Sequence, residues 1–75
     1  MKRPRANRLL GERVRELRLA RGWSQEELGE RCDLDRTYVS GIERGVRNPT
    51  LTVIASIAAG FKVSIEELFS TKTGS

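Results

Sequence analysis

Residues Gln25 to Arg44 constrain this chain more than any other stretch, because they must form two helices with almost nothing between them. Leu28 and Cys32 repeat at helical spacing, Val39 and Ile42 repeat again, and only Asp33-Leu34-Asp35 separates the two stripes. Helices joined so tightly cross steeply and meet over a small area. The residues fit those demands. Leu28, Cys32, Leu34, Val39 and Ile42 supply apolar contacts, and Gly29 is small where the helices come closest. Asp33 stands at the turn position that favours a left-handed backbone, which Gly accepts best and Asp or Asn better than most others. Asp35 is suited to cap the second helix of the pair at the positive end of its dipole. That helix is expected to run to about Arg44, with Gly45 as its stop.

The flanking sequence predicts three more helices. From Arg8 to Arg21 the residues Leu10, Val14, Leu17 and Ala20 or Arg21 recur at intervals of three and four, and Gly22 ends the pattern. Ser24-Gln25-Glu26-Glu27 reads as a capping box, with Glu27 reaching back to the Ser24 amide and Trp23 packing on Leu28. Asn48, Pro49 and Thr50 turn the chain into a fourth helix whose apolar positions are Leu51, Ile54, Ala55, Ala58 and Phe61, with Ile57 alongside. Ser64 and Glu67 form a second capping box, with Val63 and Leu68 as its staple, for a short helix from Ile65 to Phe69. No stretch alternates with period two. The expectation is an all-α, compact five-helix domain over residues 8–69, preceded by a flexible basic arm (1–7) and followed by a flexible polar tail (70–75).

Seventy-five residues enclose one modest core, close to the size at which folding alone is marginal, so self-association would add stability. Fourteen Lys and Arg against ten Asp and Glu give a net charge of +4, which favours a polyanionic partner without choosing between DNA, RNA and a membrane surface. No apolar run approaches the roughly 18 residues that span a bilayer, and the basic start lacks the apolar segment of a secretory signal, so a soluble, cytoplasmic chain is expected. With one cysteine, Cys32, and no histidine, neither a disulfide within the chain nor a usual zinc site can be assembled. Cys32 reads as a small buried apolar residue. Ser-His and Cys-His pairs are excluded as well, and helix-start electrostatics account for the adjacent carboxylates Glu26-Glu27 and Glu66-Glu67. No cofactor, small-molecule substrate or enzymatic activity is expected.

Several motifs occur together: Ser24-Gln25-Glu26-Glu27-Leu28-Gly29, Arg36-Thr37-Tyr38-Val39-Ser40, Ile42-Glu43-Arg44-Gly45, Asn48-Pro49, and the closing Val63-Ser64 with Leu68. On these the chain resembles the lambda-repressor-like (Cro/repressor) helix-turn-helix family from about Leu9 to Phe69. The stretch from Leu34 to Arg44 looks especially like the controller proteins of restriction-modification systems. The resemblance implies a sequence-specific transcriptional regulator, repressor or activator, whose helix after Asp35 enters the major groove of double-stranded DNA. Arg36, Thr37 and Ser40 would then read bases: the Arg fork matches guanine O6 and N7, and Thr offers a hydroxyl and a methyl for thymine. Gln25, Tyr38, Arg44, Arg47, Asn48 and Thr50 would hold phosphates. Gly41 departs from relatives that read a base with a side chain there, which shifts the expected readout toward Arg36 and Thr37. Arg18 continues the inward stripe from Val14, and the family often pairs this position with that of Glu43 in a partly buried ion pair. Ile65, Leu68 and Phe69, with parts of the fourth helix, are the expected seam of a homodimer on a near-palindromic operator. RNA polymerase is a further candidate partner.

Plainer readings stand beside these. Taken alone, Gln25 is equally well a solvated first-turn residue, Arg36 a surface charge, Tyr38 a packing residue with a wet hydroxyl, and Trp23 the edge of the core. Ile65, Leu68 and Phe69 could simply close the monomer. The whole fold could instead serve as a protein-interaction module of antitoxin or coactivator type.

Overall fold

A computed structural model describes residues 5–69, and they form five helices with no strand among the described residues. These are α1 (Arg5–Ala20), α2 (Gln25–Cys32), α3 (Arg36–Glu43), α4 (Leu51–Phe61) and α5 (Ile65–Leu68). Residues 1–4 of the expected arm and the expected tail, 70–75, lie outside the described residues. Arg5, Ala6 and Asn7, expected in the arm, are instead helical. The apolar stripe starts only at Leu10, so periodicity is silent on the turn before it.

One local device ends each of the first four helices. Gly22, Asp33, Gly45 and Lys62 all take the left-handed conformation, with φ of 72°, 60°, 75° and 62°. The next residue then sends its amide back to the helix: Trp23 to Arg18 O, Leu34 to Gly29 O, Val46 to Gly41 O and Val63 to Ala58 O, at 2.7 to 3.1 Å. These backbone bonds satisfy carbonyls that the helix end leaves without partners. Three of the joints finish one residue later at a cap for the next helix, namely Ser24, Asp35 and Ser64. The joint after α3 carries three extra residues, Arg47-Asn48-Pro49, before Thr50 caps α4. Only Ser64 closes a complete capping box, with Glu67 Oε1 accepting its amide at 2.8 Å. At Ser24 the hydroxyl accepts from the Glu27 amide, but the Glu27 carboxylate turns to Arg31 at 2.9 Å, so the reciprocal half expected there does not form.

The core draws Leu10 and Val14 from α1, Leu28 and Cys32 from α2, Val39 and Ile42 from α3, Ile57, Ala58 and Phe61 from α4, and Leu68 from α5. Of the expected apolar face of α4, Ala58 and Phe61 are buried and Ile54 packs against the core, but two positions depart. Leu51 is 70% exposed and Ala55 is exposed, while Ile57, expected only alongside the apolar stripe, is 1% exposed. A helix this apolar offers two candidate faces, and only its neighbours choose between them. Trp23 lies parallel to Phe61 with centroids 5.6 Å apart, and the Arg31 guanidinium covers the indole at 4.1 Å. Burial pushes the Cys32 thiol up to about 11, which keeps it protonated and unreactive at neutral pH. Gly11 marks the crossing of α1 over the end of α3: a Cβ there would collide with the Ile42 and Glu43 carbonyl oxygens.

Candidate nucleic-acid interface

The α2–α3 pair is set by contacts that tolerate little change. A Cβ at Gly29 would lie 2.5 Å from the Leu34 carbonyl oxygen, so the joint closes only because that position carries no side chain. Asp35 Oδ2 accepts the Thr37 amide at 2.8 Å and fixes the start of α3. Val39 and Ile42, each 1% exposed, anchor the inner face. Arg36 and Thr37 consequently project outward from the first turn, both exposed, with the half-buried Ser40 one turn on. That first turn contains no acidic residue of its own; the Asp35 carboxylate takes the Thr37 amide and the Asp35 carbonyl those of Tyr38 and Val39, so the cap itself answers the positive end of the dipole.

Behind α3 lies a polar bracket. Arg18 Nε donates to Glu43 Oε2 at 2.7 Å and Arg18 Nη2 to Glu43 Oε1 at 3.1 Å, a two-pronged pair whose side chains are only 10% and 3% exposed. Arg18 Nη1 also donates to the Trp23 carbonyl at 2.8 Å. The hydrogen bonds to Glu43 raise the guanidinium's pKa beyond its already high ordinary value, against the opposing effect of burial. No buried side-chain nitrogen or oxygen among the described residues lacks a partner. Such a pair holds geometry well, since removing either member strands a buried charge.

Gln25 joins this bracket, donating from Nε2 to Glu43 Oε1 at 3.1 Å. No local pattern announces that link, because it spans 18 positions and depends on how α2 meets α3. One Nε2 hydrogen remains for another acceptor, beside the unpaired amides that open α2. The bracket therefore fixes the rotamer of a side chain suited to meet a phosphate.

Past α3, Arg44, Arg47, Asn48 and Thr50 are all exposed. Thr50 Oγ1 accepts the Val53 amide at 3.3 Å, which leaves the hydroxyl proton available to a second acceptor. Arg47 doubles back over α3: a Cβ at Gly41 would sit 2.5 Å from Arg47 Cγ and 3.2 Å from its Nε. Its guanidinium stands 5.4 Å from the Tyr38 ring centroid. The space left by the missing side chain at 41 is thus occupied from the loop, a crossing that sequence periodicity could not reveal. Tyr38 is half-buried beneath it.

The expected dimer residues divide. Ile65 and Phe69 remain 38% and 40% exposed, but Leu68 is fully buried in the monomer's own core. Leu68 therefore has no surface to offer a partner, and its place in the expected seam is corrected: its side chain closes α5 onto the rest of the fold. Leu51 at the start of α4 is the larger exposed apolar group.

A short-jointed helix pair with an outward, cap-fixed recognition turn and a basic loop after it defines a DNA-binding transcriptional regulator. Residues 14–68 match the helix-turn-helix family, and the chain belongs to it. It is similar to the control protein C.BamHI of Bacillus amyloliquefaciens, 44% identical over 66 residues that cover 87% of this chain and 82% of that one. Among solved structures it is similar to the restriction-modification controller protein C.AhdI from Aeromonas hydrophila, with a TM-score of 0.81, 46% identity, and coverage of 84% of this chain and 96% of the other. A further similar structure is the C.Esp1396I controller tetramer in complex with its natural 35 base-pair operator, with a TM-score of 0.81, 36% identity, and coverage of 88% and 87%.

Proposed function

We propose that this chain binds a near-palindromic operator as a homodimer, each copy placing the first turn of α3 in the major groove, and so controls transcription from a neighbouring promoter. Arg36 and Thr37 read base edges, with Ser40 beside them, while Gln25, Tyr38, Arg44, Arg47, Asn48 and Thr50 hold the phosphates on either side. The observation that carries this reading is the exposure of Arg36 and Thr37 on a helix start locked by Asp35. The two recognition helices of a dimer would lie about 34 to 36 Å apart, in successive major grooves. Ile65, Phe69 and Leu51 supply exposed apolar surface for the seam. The activity is binding in the cytoplasm, with no catalytic step, and RNA polymerase is the partner at the promoter.

Selection of binders from random duplexes, with Arg36→Ala run in parallel, tests the assignment. The wild-type chain should enrich two related half-sites. The variant should lose discrimination at one base pair per half-site, by about 1 to 3 kcal/mol. An unchanged base preference in the variant would remove Arg36 from the reading set.

A further inference from the structure

We propose that Arg8, with Arg5 one turn before it, binds DNA phosphate and carries the grip of the α3–α4 loop onto the first helix. The inference rests on the DNA-binding reading above and adds to it two residues of α1. Both arginines are exposed and, like Arg15 but unlike Arg13 and Arg18 on the same helix, neither has an ion-pair partner among the described residues; Arg8 differs from Arg15 in lying against Gly45. The first turn of α1 contains no acid. Cations are disfavoured at this end of a helix, where the dipole is already positive, so arginines there are best accommodated opposite an anion.

Position identifies the anion. The backbone and stem of Arg8 lie against Gly45, where a Cβ would meet Arg8 Cγ at 3.1 Å and Arg8 Cα at 3.3 Å. Gly45 comes directly after the exposed Arg44 and precedes the exposed Arg47 and Asn48 by two and three residues. The start of α1 and the loop leaving α3 thus meet at Gly45, with Arg8 on one side and Arg44 on the other. A duplex seated on α3 brings its sugar-phosphate backbone to that loop, and the planar Arg fork matches two phosphate oxygens at once. Because Arg5 and Arg8 ride on a formed helix, their backbone is set in place before DNA arrives, with the stem of Arg8 against Gly45.

The test uses the full 75-residue chain and the duplex that it enriches most strongly from a random library. Affinity is measured as a function of salt for wild type, Arg8→Gln, Arg8→Lys and Arg5→Gln/Arg8→Gln. Glutamine keeps a stem over Gly45 while removing the charge, and circular dichroism checks that each variant is folded. Each lost phosphate contact should lower the slope of log affinity against log salt by about 0.9. Arg8→Gln should therefore lose one such increment and the double variant two, with several-fold weaker binding in low salt. Arg8→Lys should retain the slope, and the selected sequence should stay the same in every variant. A folded Arg8→Gln protein with the wild-type slope overturns the inference and leaves the DNA-binding reading intact. A changed base preference also overturns it, since a phosphate contact carries no sequence information. If the wild-type chain enriches no duplex at all, the reading beneath the inference fails with it.

Discussion

The joints α2–α3 and α4–α5 share one backbone pattern and serve opposite ends. Each has a non-glycine residue in the left-handed conformation (Asp33, Lys62), an apolar residue whose amide returns to the helix (Leu34, Val63), and a capping side chain (Asp35, Ser64). The residues just past the cap differ. The first turn of α5 carries Glu66 and Glu67, which complement its dipole, and the helix is sealed by the buried Leu68. The first turn of α3 carries Arg36 and Thr37 instead, so the cap Asp35 is the acid that complements its dipole, and the other end of the helix is held by the pair of Arg18 and Glu43. The same joint therefore opens either a short helix sealed onto the core or a helix whose first turn presents an exposed arginine and threonine.

The largest effects should come from the two anchors. Glu43→Ala strands the Arg18 guanidinium in a site where little water reaches it, and should cost about 3 to 5 kcal/mol in denaturant unfolding. Leu68→Ala leaves a cavity under α5 and should cost about 2 to 5 kcal/mol. Either loss is a large fraction of the stability of a chain this small. A negligible loss from Glu43→Ala would mean that α3 is held by apolar packing alone and that the two joints are anchored alike.

The caps should separate the joints by function. Ser64→Ala and Asp35→Ala should each lower stability by about 1 kcal/mol. Only Asp35→Ala should also change binding to a mixed-sequence duplex, strengthening it in low salt, because on the proposed reading it removes a carboxylate from the part of the protein nearest the polyanion. Equal DNA affinities for the two variants would place the start of α3 away from the duplex.

Smallest are the left-handed positions. Lys62→Gly should raise stability by about 1 kcal/mol, since a long side chain is strained there, and Asp33→Gly by only a few tenths, since Asp tolerates the conformation better. Thermal midpoints of the two variants check the order. A larger gain at Asp33 would show that the recognition joint stores strain that the other does not.

Helix ends are the most readable part of the sequence. Gly22, Asp33, Gly45, Ser24, Asp35, Thr50 and Ser64 act through bonds to residues a few positions away, so their identities predict their roles. The outward placement of Arg36 and Thr37, which the family resemblance implies, agrees with the inward turn of Val39 and Ile42. Sequence pattern fails where apolar residues are too plentiful to discriminate, as on α4 with Leu51 and Ile57; at α5 the pattern makes Leu68 the staple with Val63, and it is the family resemblance that groups it with Ile65 and Phe69 in a dimer seam. It also misses side chains that reach across the fold: Gln25 to Glu43, Arg47 over Gly41, and Arg8 against Gly45.

The sequence by itself determined five helical segments, the stops at Gly22, Asp33 and Gly45, the caps at Ser24, Asp35 and Ser64, and a positive charge suited to a polyanion, because each depends on neighbours along the chain or on composition alone. The tertiary structure alone decided that Ile57, and not Leu51 or Ala55, turns inward on α4, that Leu68 serves the core and not a seam, and that a buried bracket orients Gln25. The tertiary structure also placed the start of α1 beside the loop that leaves α3. Those outcomes depend on which surfaces meet when the helices pack, and the energies that select among them arise between residues far apart in the chain.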